Sequence, residues 1–465
     1  MLKRNIISNF LGNGYVVILQ FALVPLLLKY MGAEAYGLVG IYITLLAAIN
    51  ILDMGLSPAL SRELARLSVL PNSVSLMRST VTTLECIYVV IALFIVLAFY
   101  FLAPVIAEYW LNNNALPTET VSSCLQLMGA QCALQFLTNY YTNGLIGLQR
   151  TVRANGVLAL NHTLRAGAGL FVLIAMSVDV KLYFISQLIF TFVGLLMTAF
   201  ALYSALPHAN ITNVLMRNRF EKLKLRFNLE RFNASKRFAA GMAITSVCTF
   251  FIMQTDKIIL SKLVTLEQFG YYTVAINIAV TIAGAAGLIS KSVLPRMTQQ
   301  VAANDSEGIK ALYLKASASV AWLILPIAGL LITFNYQFLT IYLGNAEKVV
   351  SIAPIFVLLM FGYAMHSLMY IPYALSLAYG WTRYGINTSI VAIVVMTPIT
   401  IFATLKYGVI GAATSWVFLS MGYLCFSLRY LHEKIHKDLM LKFYKKVGWQ
   451  VLILVLSFLS TFLIQ

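Results

Sequence analysis

The chain has 465 residues, of which 60% are apolar and only 11% charged, and its mean hydropathy is +0.84. Soluble domains carry roughly 25% charged residues, so this chain lacks the polar residues to cover a water-soluble surface, and we expect an integral membrane protein. The formal charge of +17 would favour a nucleic-acid partner in a soluble protein. In a membrane protein, basic residues also concentrate in the cytoplasmic loops, so their positions in the sequence decide between the two explanations.

Thirteen apolar segments follow one another along the chain, each long enough to cross about 30 Å of hydrocarbon as a helix. They begin near Ile6, Gly37, Thr82, Val121, Val157, Leu182, Phe238, Tyr271, Ser317, Val350, Thr388, Val409 and Val447. Their hydrophobicity is continuous and lacks the two-residue alternation of a membrane β-barrel. The sequence therefore predicts an all-α polytopic membrane protein with about 13 transmembrane helices.

Lysine and arginine residues are concentrated in every second loop between the predicted spans. If the N-terminus, with Lys3 and Arg4, lies in the cytoplasm, 26 of the 33 basic residues fall in inside loops and six in outside segments. The positive-inside rule therefore predicts a cytoplasmic N-terminus and an outside C-terminus. Basic residues that face the anionic inner leaflet account for the net charge without a nucleic-acid partner.

A shift of 233 residues aligns the end of the first predicted span with the end of the seventh. The segments read LLKYMGAEAYG and LSKLVTLEQFG, so that Gly37 falls on Gly270. The shift equals six spans, which predicts two six-helix lobes of like orientation, an arrangement typical of transporters. We therefore expect an N-lobe at residues 1–206 (spans 1–6), a basic cytoplasmic linker at 207–237, a C-lobe at 238–431 (spans 7–12), and a basic loop with a thirteenth span at 432–465.

Several polar side chains lie inside predicted spans, where a charge at the bilayer centre costs about 2.5–3.5 kcal/mol. They form stripes along one face of spans 1, 4 and 5. A single amide is explained by hydrogen bonding between helices, but for the arginine and the stripes together we favour a shared hydrated cavity that binds substrate. The residues that we assign to this cavity are Asn9, Asn13, Gln135, Asn139, Asn161, His162 and Arg165.

Four charged residues and one aromatic face complete the candidate set. The candidates for coupling to an ion are Asp53, Glu85, Asp256 and Lys257, which lie in or at the ends of spans. A simpler interpretation of the last two is that they pair with each other. An aromatic face on span 10, kinked near Pro372, either stacks on sugars or packs against neighbouring helices. It consists of Tyr363, His366, Tyr370 and Tyr373, of which the first three are the candidates for substrate binding.

Sequence motifs of common enzymes are missing. The chain has no Walker A sequence, no GxSxG nucleophile motif, and no His, Cys and carboxylate cluster with metal-ligand spacing. Its five cysteines lie within spans and form no CxxC pair, so we expect them to act as small apolar residues. We therefore expect a protein that is not an enzyme and holds no cofactor or metal, with H⁺ or Na⁺ as the ions to which it would couple.

Three segments of the chain resemble a known family. They are RNIISNFLGNG on span 1, TNGLIGLQRTVRANG after span 4, and MQTDKIILSKLVTLEQFGYYTVA at the junction of spans 7 and 8. Together they are similar to the polysaccharide-export flippases, in particular the O-antigen (Wzx-type) flippases of the multidrug/oligosaccharidyl-lipid/polysaccharide superfamily. The resemblance covers spans 1–12, and the thirteenth span departs from the twelve that are usual in this family.

The resemblance implies a multi-pass protein of the bacterial cell inner membrane that serves lipopolysaccharide biosynthesis. It would move an undecaprenyl-diphosphate-linked oligosaccharide from the cytoplasmic to the periplasmic leaflet by alternating access, with two lobes that rock around a cationic cavity. Arg165 would replace the hydration of the diphosphate, and Arg4 and Arg150, near the cytoplasmic mouth, would receive it first.

Other implied partners are membrane lipids and the polymerase and chain-length proteins of the same pathway. Two alternatives to a flippase stay open. One is a membrane-embedded polymerase or ligase of the same pathway, which would need a catalytic constellation at the outer surface. The other is a drug or cation antiporter of the same superfamily, which would need a negatively charged cavity.

Overall fold

The computed structural model describes residues 2–53, 56–68, 73–112, 116–176, 179–207 and 229–463. Within these ranges it does not describe the side chains of residues 2–11, 13, 58–59, 62, 229–243, 245–246 and 462–463. The helices are α1 (Leu2–Ile51), α2 (Leu56–Leu67), α3 (Val74–Tyr109), α4 (Thr118–Gly147), α5 (Thr151–Phe171), α6 (Val180–Ala205), α7 (Leu229–Leu263), α8 (Leu266–Ala302), α9 (Ser306–Thr333), α10 (Asn335–Leu343), α11 (Ala346–Ser367), α12 (Tyr370–Ala378), α13 (Thr382–Gly422), α14 (Leu428–Ile435) and α15 (Leu439–Leu463). Short π-helical turns follow α5 and α13.

All thirteen predicted spans lie in these helices. The long helices α1 and α13 each contain two spans and are kinked at Gly32 (φ 80°) and Gly408 (φ 57°), where glycine adopts a positive φ at little cost. By length and composition, eight helical segments in the described part of the chain could cross a membrane. The prediction of an all-α polytopic membrane protein is confirmed.

The ends of the helices differ from the ends of the apolar runs. Helix α3 begins at Val74, several residues before the predicted start at Thr82, because polar residues at a membrane interface continue the helix. The predicted kink at Pro372 is instead a break between α11 and α12, after Ser367. Pro372 lies in the first turn of α12, where proline leaves no hydrogen bond unmade.

Contacts between residues divide the chain into two compact units. Unit 1 comprises Met1–Leu23, Tyr42–Trp110 and Leu116–Ala243, and unit 2 comprises Val24–Ile41, Leu111–Ala115 and Ile244–Gln465. In unit 1, α4 packs against α3 and α6. In unit 2, α11 packs against α8 and α13, and α15 packs against α9. Helix α1 therefore contributes to both units.

A close crossing of α1 and α8 inside unit 2 depends on glycine. A Cβ atom added to Gly37 would lie 2.3 Å from the Leu266 main-chain oxygen, and one added to Gly270 would lie 2.0 Å from that of Ala33. Ala33 and Leu266 are 233 residues apart, as are the two glycines. The two contacts are thus equivalent under the internal repeat, and each requires a residue without a side chain.

Candidate functional site

Arg165 lies near the middle of the apolar span Thr151–Met176, about 21 Å from Thr151 at 1.5 Å per residue. Its Nε atom donates a hydrogen bond to Oε1 of Gln187 on α6 (3.2 Å), and Gln187 Nε2 donates to the main-chain oxygen of Arg165 (2.9 Å). Gln187 is buried, whereas Arg165 is half-buried. The pair orients the guanidinium group through its Nε atom.

The surroundings of Arg165 contain no counter-ion among the described side chains, since none of their ion pairs includes it. The groups within electrostatic range of its charge are Tyr42 from α1, Cys132 from α4, His162 from α5 and Tyr183 from α6. The Tyr42 hydroxyl is buried and has no hydrogen-bond partner in the described part of the chain. A cation in a span that the protein does not neutralise is suited to bind an anion.

Asn161, one helical turn before Arg165, forms a hydrogen bond between α5 and α6. Its Nδ2 atom donates to the main-chain oxygen of Phe190 on α6 (2.7 Å), and its side chain is buried. Gly194 makes room for this amide, because a Cβ atom there would lie 2.2 Å from Asn161 Nδ2. The structure thus shows Asn161 in an interhelical contact, and its neighbour His162 is half-buried.

Amide side chains form a polar face along α4. Asn139 Nδ2 donates to Asn50 Oδ1 at the end of α1 (3.0 Å), and Gln135 Nε2 donates to Asn139 Oδ1 (3.3 Å). Gln131, one turn earlier, is 1% exposed, and neither of its amide atoms bonds to a described residue. Only some of the amide groups in the predicted polar stripe on span 4 are therefore hydrogen-bonded to described residues.

Glu85 on α3 accepts hydrogen bonds from two tyrosine hydroxyls. Tyr141 from α4 donates to Oε1, and Tyr203 from α6 donates to Oε2. None of the ion pairs in the described ranges includes Glu85. Both partners are neutral phenols, so the contacts of this carboxyl group in the described part of the chain are hydrogen bonds and not ion pairs.

Asp53 connects the end of α1 to the start of α2. It accepts hydrogen bonds from the Ser57 backbone N–H (3.2 Å) and hydroxyl (2.6 Å), and from the Tyr88 hydroxyl on α3. The Tyr88 ring contacts the ring of Tyr140, with 4.5 Å between centroids, and Tyr140 is adjacent to the tyrosine that binds Glu85. The two predicted coupling carboxylates of unit 1 are thus linked by tyrosines.

Asp256 on α7 forms a buried cluster in unit 2. Tyr272 from α8 and Trp416 from α13 donate to its Oδ2 atom, the latter at 2.8 Å. The Lys257 ammonium lies 3.8 Å from Oδ1 and donates to the main-chain oxygen of Met253 (2.6 Å). The Asp256–Lys257 pair that the sequence allowed therefore forms. A void of about 30 Å³ beside Asp256 is large enough for a water molecule.

Replacing Asp256 by asparagine is expected to lower the free energy of unfolding by about 3–5 kcal/mol, because Lys257 keeps a buried charge without a counter-ion. Tyr272→Phe is the matched control, since it removes one hydrogen bond and leaves the ion pair, at a cost of about 1 kcal/mol. Thermal unfolding of the purified proteins in detergent measures both effects. Equal stability of the two variants would contradict an ion pair at this site.

The aromatic face predicted on span 10 packs inside unit 2. Tyr363 is 6% exposed and its ring stacks on that of Trp416, with 4.2 Å between centroids. His366 meets the same indole edge-on at 6.1 Å. Tyr370 is half-buried at the start of α12, and its main-chain oxygen accepts a hydrogen bond from Ser290 (3.0 Å). Tyr363 and His366 thus support the tryptophan that binds Asp256.

The remaining predicted residues lie near the N-terminus and at the start of α5. Arg150 immediately precedes α5 and is exposed. Arg4, Asn9 and Asn13 belong to α1, but their side chains lie outside the described residues. In the part of the chain that the structure describes, no three His, Cys, Asp or Glu side chains come together as metal ligands.

Sequence reasoning missed the partners that hold the charged groups. These partners are Gln187, Tyr141, Tyr203, Tyr88, Tyr272 and Trp416. Gln187 carried a usable signal, because it is an amide inside an apolar span. The aromatic residues carried none, since tyrosine and tryptophan in a membrane bundle are commonly found in packing and at the interface.

A bundle of long apolar helices defines a multi-pass membrane protein. Residues 2–301 match the family of polysaccharide biosynthesis proteins, and the chain belongs to that family. Over 418 residues it is 20% identical to a Shigella flexneri protein provisionally named an O-antigen transporter. The alignment covers 89% of this chain and 93% of that protein.

Two solved structures share the fold. The lipid II flippase MurJ, in an inward closed conformation, superposes with a TM-score of 0.68 at 14% identity over 97% of this chain and 96% of that one. An inward-facing multidrug resistance MATE family transporter of the MOP superfamily also gives a TM-score of 0.68, at 12% identity over 95% of each chain. These similarities show the fold alone. The relatives are transporters and flippases, in agreement with the expectation that the chain is not an enzyme.

Proposed function

We propose that the protein flips an undecaprenyl-diphosphate-linked oligosaccharide, such as an O-antigen repeat unit, across the bacterial inner membrane by alternating access. Membership of the polysaccharide biosynthesis family and similarity to the Shigella flexneri protein support this substrate class. The structural observation that carries the proposal is Arg165, a guanidinium group near the middle of a span with no carboxylate partner among the described residues.

The chemistry of the substrate explains why a buried cation is needed. A diphosphate does not cross hydrocarbon unaided, because the free energy of removing water from its ionised oxygens is large and lipid tails offer no hydrogen bonds in exchange. A guanidinium group presents N–H donors in a planar fork that matches phosphate oxygens. In Arg165 the Nε atom donates to Gln187, and the terminal N–H groups would bind the phosphate oxygens. Gln135 and Asn139 would bind sugar hydroxyls.

The N-terminal and loop residues would act at the entry to the pathway. With a cytoplasmic N-terminus, Arg4 and the exposed Arg150 would meet the diphosphate first. Asn9 and Asn13 would continue the polar path along α1. Tyr363 and His366 would act through Trp416, which donates to Asp256.

The membrane potential favours outward movement of an anion. Moving two negative charges out of the cell releases about 4.6 kcal/mol per 100 mV, and return of the empty carrier would be coupled to H⁺ or Na⁺. Among the coupling candidates Asp53, Glu85, Asp256 and Lys257, we favour Glu85 for protons because its partners are neutral phenols. Asp256 already has Lys257 as its cation.

The proposed function is tested by locating the lipid-linked intermediate in a strain that lacks the protein. We expect single oligosaccharide units to accumulate in the cytoplasmic leaflet, where a membrane-impermeant sugar probe does not label them. Reintroducing the gene should restore surface polysaccharide. Units that are labelled but unpolymerised would instead identify a polymerase or ligase. A normal intermediate together with sensitivity to cationic drugs would identify an antiporter.

A further inference from the structure

A groove of about 780 Å³ lies between α9 and α15, within unit 2. Its charged lining consists of Lys315 from α9 and, from the first turns of α15, Lys442, Lys445 and Lys446. Leu314, Ala318 and Trp322 of α9 form an apolar wall beside these ammonium groups. The groove therefore combines a high density of positive charge with an apolar surface.

Most of this charge is not neutralised by the described side chains. Lys442 lies 3.5 Å from Asp438, whose carboxylate also pairs with Lys310 at 3.1 Å. The hydrogen bond from Lys310 holds the pKa of Asp438 below its ordinary value, so this carboxylate is ionised at neutral pH. The other three groove lysines take part in none of the ion pairs among the described side chains. Lys315, Lys445 and Lys446 thus line the groove without a carboxylate partner among the described side chains, which favours the binding of an anion.

The apolar surface continues from the groove along both helices. Trp322 is 61% exposed and lies seven residues, or about 10 Å, beyond Lys315 on α9. Trp449 is 65% exposed and lies one turn beyond Lys446 on α15. When the Gln450 amide is oriented with its oxygen toward Trp322, this oxygen accepts a hydrogen bond from the indole N–H at 2.8 Å, which fixes the ring. Lysines followed by exposed tryptophans and then apolar residues match the depth profile of a membrane interface.

We propose that this groove binds an anionic phospholipid of the surrounding bilayer, with the phosphate at Lys315, Lys445 and Lys446 and the acyl chains along Trp322 and Trp449. A zwitterionic lipid would bring a cationic headgroup against the lysines, and a soluble anion would leave the apolar wall uncovered. Basic pockets between membrane helices are known sites for anionic headgroups. This site is independent of the flippase proposal, because it involves neither Arg165 nor α5.

The test compares the binding of phosphatidylglycerol and of phosphatidylcholine, with identical acyl chains, to the purified full-length protein in detergent by native mass spectrometry. The triple variant K315Q/K445Q/K446Q is expected to bind phosphatidylglycerol roughly 100-fold more weakly, because each lysine contributes about a factor of five to the affinity. Its weak binding of phosphatidylcholine should not change. The matched control K291Q/K434Q/K437Q removes three exposed lysines outside the groove and should retain tight binding.

A second variant separates a built site from a diffuse positive surface. Ala318→Phe fills the groove without changing the charge and is expected to weaken phosphatidylglycerol binding at least tenfold, with an unchanged unfolding temperature in lipid-free detergent. Equal losses in the two triple variants, or full binding by Ala318→Phe, would overturn the proposal. So would competition by millimolar inorganic phosphate, or a triple variant that loses undecaprenyl diphosphate instead of phosphatidylglycerol.

Discussion

Arg165→Ala abolishes export of the lipid-linked oligosaccharide while the protein is still made and inserted. This result is expected because the substrate then loses the guanidinium group inside the span, and charge-assisted hydrogen bonds contribute about 1.5–3 kcal/mol each. Losing two of them lowers the rate of flipping at least about 100-fold. The measurement is surface polysaccharide in a complemented null strain, with protein level by immunoblot.

Two further variants identify what Arg165 supplies. Arg165→Lys keeps the charge but loses the planar fork, so partial export is expected. Arg153→Ala removes an exposed arginine from the same helix, one that donates to Ser204 (2.7 Å), and should export normally. Normal export by Arg165→Ala would remove this residue from the mechanism. Equal loss in Arg153→Ala would point to a general need for positive charge on α5.

Gly37→Ala and Gly270→Ala are each expected to lower the free energy of unfolding by about 1–3 kcal/mol, through overpacking at the crossing of α1 and α8. The added methyl groups would lie 2.3 Å and 2.0 Å from main-chain oxygens, which cannot rotate away as a side chain can. Thermal unfolding in detergent and the yield of membrane-inserted protein measure the effect.

Gly284→Ala on the same helix α8 is the matched control, because a Cβ atom there meets nothing within 4 Å. Alanine is favoured over glycine inside a helix by up to about 1 kcal/mol, so this variant should be as stable as the parent or more stable. The double variant Gly37→Ala/Gly270→Ala should cost less than the sum of the single variants, since one backbone shift accommodates both methyl groups. Strict additivity would show that the two contacts are independent.

The helices were predictable from the sequence because each follows from a continuous apolar run. The points at which α1 and α13 are kinked were not, since a positive φ at Gly32 or Gly408 depends on the packing of neighbouring helices. The break after Ser367 was assigned to Pro372 for a similar reason. Inside a helix a proline removes a hydrogen bond and its ring clashes with the preceding turn, but in the first turn of α12 there is neither a bond to remove nor a preceding turn.

The charged residues of the candidate site could be predicted from the sequence, whereas the partners that each polar side chain contacts could not. Arg165, Glu85 and Asp256 were identified because a charge in a span requires a partner or a function. Whether a polar residue such as Asn161 faces a cavity or an adjacent helix depends on rotation about the helix axis. That rotation is set by features such as Gly194, which accommodates the amide and has no polar signature of its own.

The path of α1 limits how parts can be exchanged between relatives. Its residues Val24–Ile41 belong to the same compact unit as Ile244–Gln465, and the contact of Gly37 with α8 is made there. A chimera that joins helices α1 to α6 of one parent to the later helices of another therefore sets an α1 against a foreign α8. Recombination between α6 and α7 preserves this contact only when both parents carry glycine at the positions equivalent to Gly37 and Gly270.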